Sequence, residues 1–210
     1  MPTPEQILSG LSAIANRWQI VAIAWHVYFA VLIGGLALGV RPSKRVAGVL
    51  LALPLISVGV FAWLSANPFN GILFGLAAVA LLWIAARLPQ ERIQIAPSWL
   101  AGIGVLLFVF GWVYPHFLQT ASWMPYLYAA PTGLVPCPTL SIVIGLSLIV
   151  GDFESRSWSL VLGGMGLFYG LFGALRLGVM IDLVLLVGAL LALLVASMPK
   201  TGAPRQALVH

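Results

Sequence analysis

PTGLVPCPT, residues 131–139, places three prolines, a glycine and the single cysteine of the chain between two apolar runs. Proline removes a backbone donor, clashes with the preceding turn and drives the residue before it toward extended geometry. Val135 and Cys137 both precede a proline, so a helix is expected to start cleanly only near Pro138, with Cys137 or Thr139 at its cap. From Pro138 to Gly151 such a helix is about 21 Å long at 1.5 Å per residue. A bilayer's hydrocarbon core is about 30 Å thick. If this run crosses a membrane, its helix begins below the surface, and extended chain from Thr132 to Cys137 covers the remainder.

The rest of the chain says that it does cross one. Of 210 residues, 61% are hydrophobic and 7% are charged, and the mean hydropathy is +1.07. Soluble domains carry about 25% charged residues. A spanning helix needs roughly 20 apolar residues, and residues 18–40, 46–66, 70–88, 98–118, 138–151, 157–175 and 178–198 are the candidates. The expected fold is all-α: a polytopic transmembrane helix bundle of about seven spans over residues 18–198, the fifth broken by Pro-Cys-Pro. Residues 1–17 read as an interfacial amphipathic helix, with Thr3 as N-cap, Pro4 at the first helical position and Gln6 closing a capping box. Residues 199–210 read as a flexible cytoplasmic tail. No basic n-region with a cleavage site opens the chain, so no removable signal peptide is expected.

Orientation follows from the cations. With the N-terminus outside, Arg41, Lys44, Arg45, Arg87, Arg92, Arg156, Lys200 and Arg205 fall inside, and only Arg17 and Arg176 fall outside. That asymmetry obeys the positive-inside rule, favours an odd number of spans and puts the C-terminus inside. The net charge of +5 is thus a matter of topology rather than of nucleic-acid binding. The lone cysteine excludes an internal disulfide and a CxxC metal or redox pair.

Ionisable and polar groups inside spans are where function is sought. His26, Asn67, His116, Cys137, Arg176 and Asp182 all fall in the outer half under this topology, and Thr132 and Thr139 flank the broken segment. Together these eight are the candidate ligand-binding set. A cysteine at a helix N-terminus is expected to be nucleophilic or metal-binding, and a water-filled cavity would let an impermeant thiol reagent reach Cys137 from outside. Thiolate and imidazole suit Cu(I) or Zn, which makes His26, His116 and Cys137 the candidate metal ligands. Each group also has a plainer role: a satisfied histidine, a turn-starting Asn67, an inert buried thiol, an Arg176–Asp182 pair that neutralises itself. Gly166 and Gly170 form a GxxxG pair for close helix packing, within the chain or with an oligomeric or membrane-complex partner.

"ANPFNGILFG" (66–75), the "YP" at 114–115 and "APTGLVPCPTLSIVIGLSL" (130–148) resemble an uncharacterised family of bacterial multi-pass membrane proteins with an Asn-Pro near a Phe-Gly and a later Pro-Cys-Pro-Thr. These fall here on Asn67, Pro68, Phe74, Gly75 and on Pro136, Cys137, Pro138, Thr139; Leu140 stands where the family has a second Thr. The resemblance implies fold and compartment, a bacterial inner membrane, and no activity or cofactor. The residues themselves favour small-solute or metal-ion binding or transport through an outward-facing pocket. The alternatives are an accessory subunit of a membrane complex and a redox subunit with His26 and His116 on one haem. No Ser-His-carboxylate set, HExxH or paired carboxylates argue for a hydrolytic enzyme.

Overall fold

The computed structural model describes residues 3–197; the expected tail, 199–210, lies outside the described residues. The described chain is helical, with one isolated β-bridge between Ser43 and Arg92. Helix α1 (Pro4–Arg17) opens on the expected capping box, Thr3 and Gln6 bonding reciprocally. It is followed by α2 (Gln19–Ala37), α3 (Lys44–Leu64), α4 (Pro68–Arg87), α5 (Ser98–Val113), the short α6 (Tyr126–Ala129), α7 (Pro136–Ile149), α8 (Arg156–Leu171) and α9 (Leu183–Ser197). Helix α8 runs on through a wide π-turn to Arg176, and a tight turn, Met180–Asp182, leads into α9.

Five of these stretches are long and apolar enough to cross a membrane: Gln19–Ala37, Lys44–Leu64, Pro68–Arg87, Arg156–Arg176 and Met180–Ser197. Helices α5 and α7 are apolar but shorter. The fourth expected span, 98–118, stops at Val113, because Pro115 denies Tyr114 the helical conformation. Helix α7 starts at Pro136, two residues earlier than expected. A first-turn N–H has no intrahelical partner, so prolines at 136 and 138 both fit inside that turn.

All fourteen residues of α7 are buried. A helix that is apolar on every side belongs at the centre of a bundle, and α7 touches α3, α5, α8 and α9. Its contact with α5 is backbone on backbone: a Cβ on Gly145 would lie 2.6 Å from the Gly104 carbonyl oxygen, and one on Gly111 would lie 2.6 Å from that of Pro138. Gly166 and Gly170 face inward against Ala189 and Leu186 of α9. The GxxxG pair therefore packs α8 against α9 inside the chain. The outside is the reverse of a soluble protein's: Ile20, Val27, Leu76, Val79 and Leu106 are all exposed, more apolar surface than water tolerates on a monomer.

The bundle has two unlike ends. At one, α1 rests on the loop after α5, where Ser12 and Asn16 donate to the Phe117 carbonyl at 2.8 and 2.9 Å. At the other, three loops are tied together. Buried Lys44 reaches Glu154 and, at 3.4 Å, Glu91, and the Ile93 N–H donates to Pro42. Glu154 gets there through a left-handed turn in which Gly151, Asp152, Phe153 and Glu154 have φ of 63°, 50°, 55° and 56°. Left-handed geometry costs an ordinary residue roughly 1–2 kcal/mol, so this turn survives only because burial of Phe153 and the Lys44 bridge hold it.

Asp152 sits in that turn, 1% exposed; one carboxyl oxygen accepts from Ser159 and the other has no partner. Burial pushes its pKa up to about 7, and the Ser159 bond offsets part of that rise. The folded chain thus holds this proton more tightly than the unfolded chain, where the group titrates near 3.9. Its contribution is fully present below about pH 4 and is lost as pH climbs to about 7, at most about 4 kcal/mol over that window. Asp152→Asn keeps the acceptor for Ser159 and tolerates the left-handed backbone. Plots of melting temperature against pH are expected to show the wild type falling relative to Asp152→Asn between pH 4 and 7 and running parallel to it above. A constant offset across that range would contradict the burial.

Candidate functional site

The α1 end contains a buried carboxylate gripped by two neutral donors. Tyr114 donates its hydroxyl to Asp182 Oδ1 at 2.6 Å, and the Cys137 thiol donates to Oδ2 at 3.2 Å. Three separate breaks in helical order bring them together. Pro115 ends α5 and leaves Tyr114 turned into the core. The Pro-Cys-Pro start puts Cys137 on the first turn of α7. Gly178, at φ 71°, reverses the chain after α8, and Asp182 closes the next turn with its N–H on Val179. A side chain at position 173 would collide with the Asp182 carboxylate, so glycine there is what lets the acid in.

Asp182 and Tyr114 are at most 1% exposed, and Cys137 is 7% exposed. No Lys or Arg among the described residues lies within ion-pair distance of Asp182. The expected Arg176–Asp182 pair does not form. Arg176 is exposed, and its charge acts on Glu5. The Glu5 carboxyl is held below its ordinary range chiefly by bonds from its own backbone and Thr3, with Arg176 adding to the effect. A second buried pair lies between α4 and α8, where Tyr169 donates to Asn70 Oδ1 at 2.8 Å.

The other expected residues serve the backbone. Thr132 donates to the Gly111 carbonyl at 3.1 Å. Thr139 accepts from Gly133 N–H at 2.8 Å and donates to Val135 at 2.7 Å. These bonds satisfy the non-helical segment, which has no ladder of its own. Asn67 caps α4, its side chain accepting from Asn70 N–H at 3.2 Å. His116 is half-buried with its ring edge-on to Phe117, and burial lowers its pKa.

The metal set is not assembled. Among the described residues no three His, Cys, Asp or Glu side chains are grouped to hold a metal ion. His26 is buried, with Nδ1 2.8 Å from the Ala22 carbonyl and Nε2 3.0 Å from that of Trp112, so neither nitrogen is presented to a metal or a haem. Cys137 is engaged as a donor to a carboxylate and sits in a segment, 129–150, that is buried throughout. The thiol is enclosed by protein and not open to water.

Sequence reasoning found Cys137 and Asp182 but not their partner Tyr114, nor Asn70 and Tyr169. A tyrosine inside an apolar run does signal a need for an acceptor, and Tyr114 beside Pro115 was such a case. No family model, curated protein or solved structure matches the chain. The class is set by the helices: five stretches able to cross a bilayer, around a buried polar site, are the make-up of a multi-pass membrane protein.

Proposed function

We propose that the chain is a seven-pass protein of a bacterial inner membrane, amino terminus outside, in which Asp182 binds a proton or small cation in the course of small-solute binding or transport. Helices α2, α3, α4, α5, α7, α8 and α9 supply the passes, and the excess of Arg and Lys at the Lys44 end sets the orientation. One observation carries the functional reading: a carboxylate 1% exposed, held by a tyrosine and a thiol, with no cation beside it among the described residues. An acid in that position is costly unless a proton or an ion neutralises it, and such acids mark proton and ion paths in membrane proteins. Tyr114 and Cys137 are the orienting groups, and the break before α7 brings the thiol to the acid, as discontinuous helices do at transporter sites.

The test is thermal. Purified full-length protein is melted in detergent at constant ionic strength across Li⁺, Na⁺, K⁺ and Mg²⁺ and across pH. A ligand bound only by the folded state stabilises by about 2.7 kcal/mol at one hundred times its dissociation constant. One cation, or the proton, is expected to raise the wild-type melting temperature; Asp182→Asn should lose that response and keep only the pH dependence that Asp152 gives both proteins. Identical responses of the two proteins to every ion and to pH would remove the proposal.

A further inference from the structure

Helix α2 is anchored along only half its length. Its buried residues are Ala22, His26 and Phe29, and nothing from Val31 to Ala37 is buried. The second half stands off α3 and α7 and leaves a cleft of about 300 Å³, walled by Leu32, Gly35 and Leu36 on one side and by Leu51 and Leu146 on the other. Every lining residue is apolar, glycine or proline. That volume is at the lower end of the range for ligand sites, about 300–1,000 Å³, and suits something slender and without polar atoms.

The rim of the cleft is different. At the loop end the cleft is lined by Val40, Pro42 and Ile93, and the chain neighbours of these residues include Arg41 and Arg92. The Ile93–Pro42 backbone bond, 2.9 Å, and the Ser43–Arg92 bridge hold the two loops together, with Arg92 opposite Ser43 and Arg41 two residues before it. Arg41 spends one nitrogen, Nη1, on the Leu36 and Val40 carbonyls. Arg92 is exposed and makes no side-chain hydrogen bond among the described residues. Glu91 and Glu154 share Lys44, and Asp152 accepts from Ser159; Arg41, Lys44, Arg45, Arg87, Arg92 and Arg156 outnumber these acids at this end of the bundle. The rim is therefore a surplus of positive charge above an apolar slot that opens on the lipid-facing side of the bundle.

We propose that this cleft is a lipid site, holding one acyl chain of an anionic phospholipid between α2 and α3 with the phosphate on Arg41 and Arg92. An acyl chain matches the wall, and charge complementarity selects the headgroup; basic pockets between helices bind anionic lipids in this way. The site is separate from Asp182, at the opposite end of the bundle.

Full-length protein in detergent is delipidated, and phosphatidylglycerol or phosphatidylcholine with the same acyl chains is added back. Retained lipid is counted by native mass spectrometry, and the melting temperature is recorded. The wild type is expected to retain phosphatidylglycerol in preference and to be stabilised by it. Each arginine near a bilayer surface is worth about fivefold in anionic affinity, so Arg41→Gln with Arg92→Gln should remove most of the preference; the single variant Arg92→Gln, at a side chain with no hydrogen bond to lose among the described residues, should remove part of it and leave the lipid-free melting temperature unchanged. Gly35→Phe should block retention of both lipids. A Cβ there meets nothing closer than Val40 at 3.8 Å, so the substitution enters the cleft without a clash at its root. Equal retention of the two lipids by the wild type would overturn the proposal. So would an unchanged preference in the double arginine variant, or a dimer that Gly35→Phe dissolves and that retains no lipid.

Discussion

Replacing Gly145 with alanine is expected to cost this protein a large share of its stability. The added methyl would stand 2.6 Å from the Gly104 carbonyl oxygen and 2.7 Å from the Phe108 nitrogen. Both are backbone atoms of α5, so no flexible side chain can move aside. Overpacking costs about 1–3 kcal/mol where neighbours can adjust; here two helices must separate along the contact that encloses the centre of the bundle. Against a total of about 5–15 kcal/mol for a typical domain, that is a loss visible in yield of monodisperse protein and in melting temperature. Gly102→Ala on α5 is the internal control. A methyl there meets nothing within 4 Å, and alanine is favoured over glycine inside a helix by about 0.5–1 kcal/mol. Opposite signs for the two variants are expected; a Gly145→Ala protein as stable as the wild type would mean that α5 and α7 do not touch as described.

The second large effect separates stability from function at Asp182. Asp182→Ala removes the acceptor of both the Tyr114 hydroxyl and the Cys137 thiol. A buried hydroxyl left unpaired costs about 1–3 kcal/mol, and the turn pressed against Gly173 loses its filling. Asp182→Asn behaves differently. It keeps an acceptor for Tyr114 and discards the penalty of a buried charge, whose removal in favour of a neutral group of the same shape is often neutral or stabilising. The expected pattern is a lowered melting temperature for the alanine variant and an unchanged or raised one for the asparagine variant. The asparagine variant should lose its ion response completely. Residues kept for function rather than for stability behave in this way. An asparagine variant that melts as low as the alanine variant would make Asp182 a structural acid instead.

Much of this architecture is legible in the sequence because the bilayer imposes lengths and periodicities that composition cannot hide. Apolar runs near 20 residues marked the five long helices, and Pro136 and Pro138 marked the break before α7. The α5 boundary was misplaced by five residues because apolarity continues through Phe117 and Leu118, and the stop depends on Pro115 alone. The site was half legible. Cys137 and Asp182 are conspicuous as a thiol and an acid in apolar surroundings. Their joining is not local: it depends on a π-turn, on Gly178 at positive φ and on the missing side chain at Gly173, none of which a hydropathy pattern records. The metal trio failed for a related reason. Shared depth in a membrane fixes one coordinate of a side chain, and the other two are set by helix rotation, which turned His26 toward the carbonyls of Ala22 and Trp112.

The enclosure of α7 has a consequence for how the chain is made. Its neighbours come from both directions in the sequence, α3 and α5 before it and α8 and α9 after it. While a ribosome is still extending the polypeptide, the faces of this helix that α8 and α9 will later cover are open, and its unwound entry has only part of its walls. The centre of the molecule is therefore finished last, when the final hairpin arrives from the insertion machinery and shuts the acid, the thiol and the tyrosine away together.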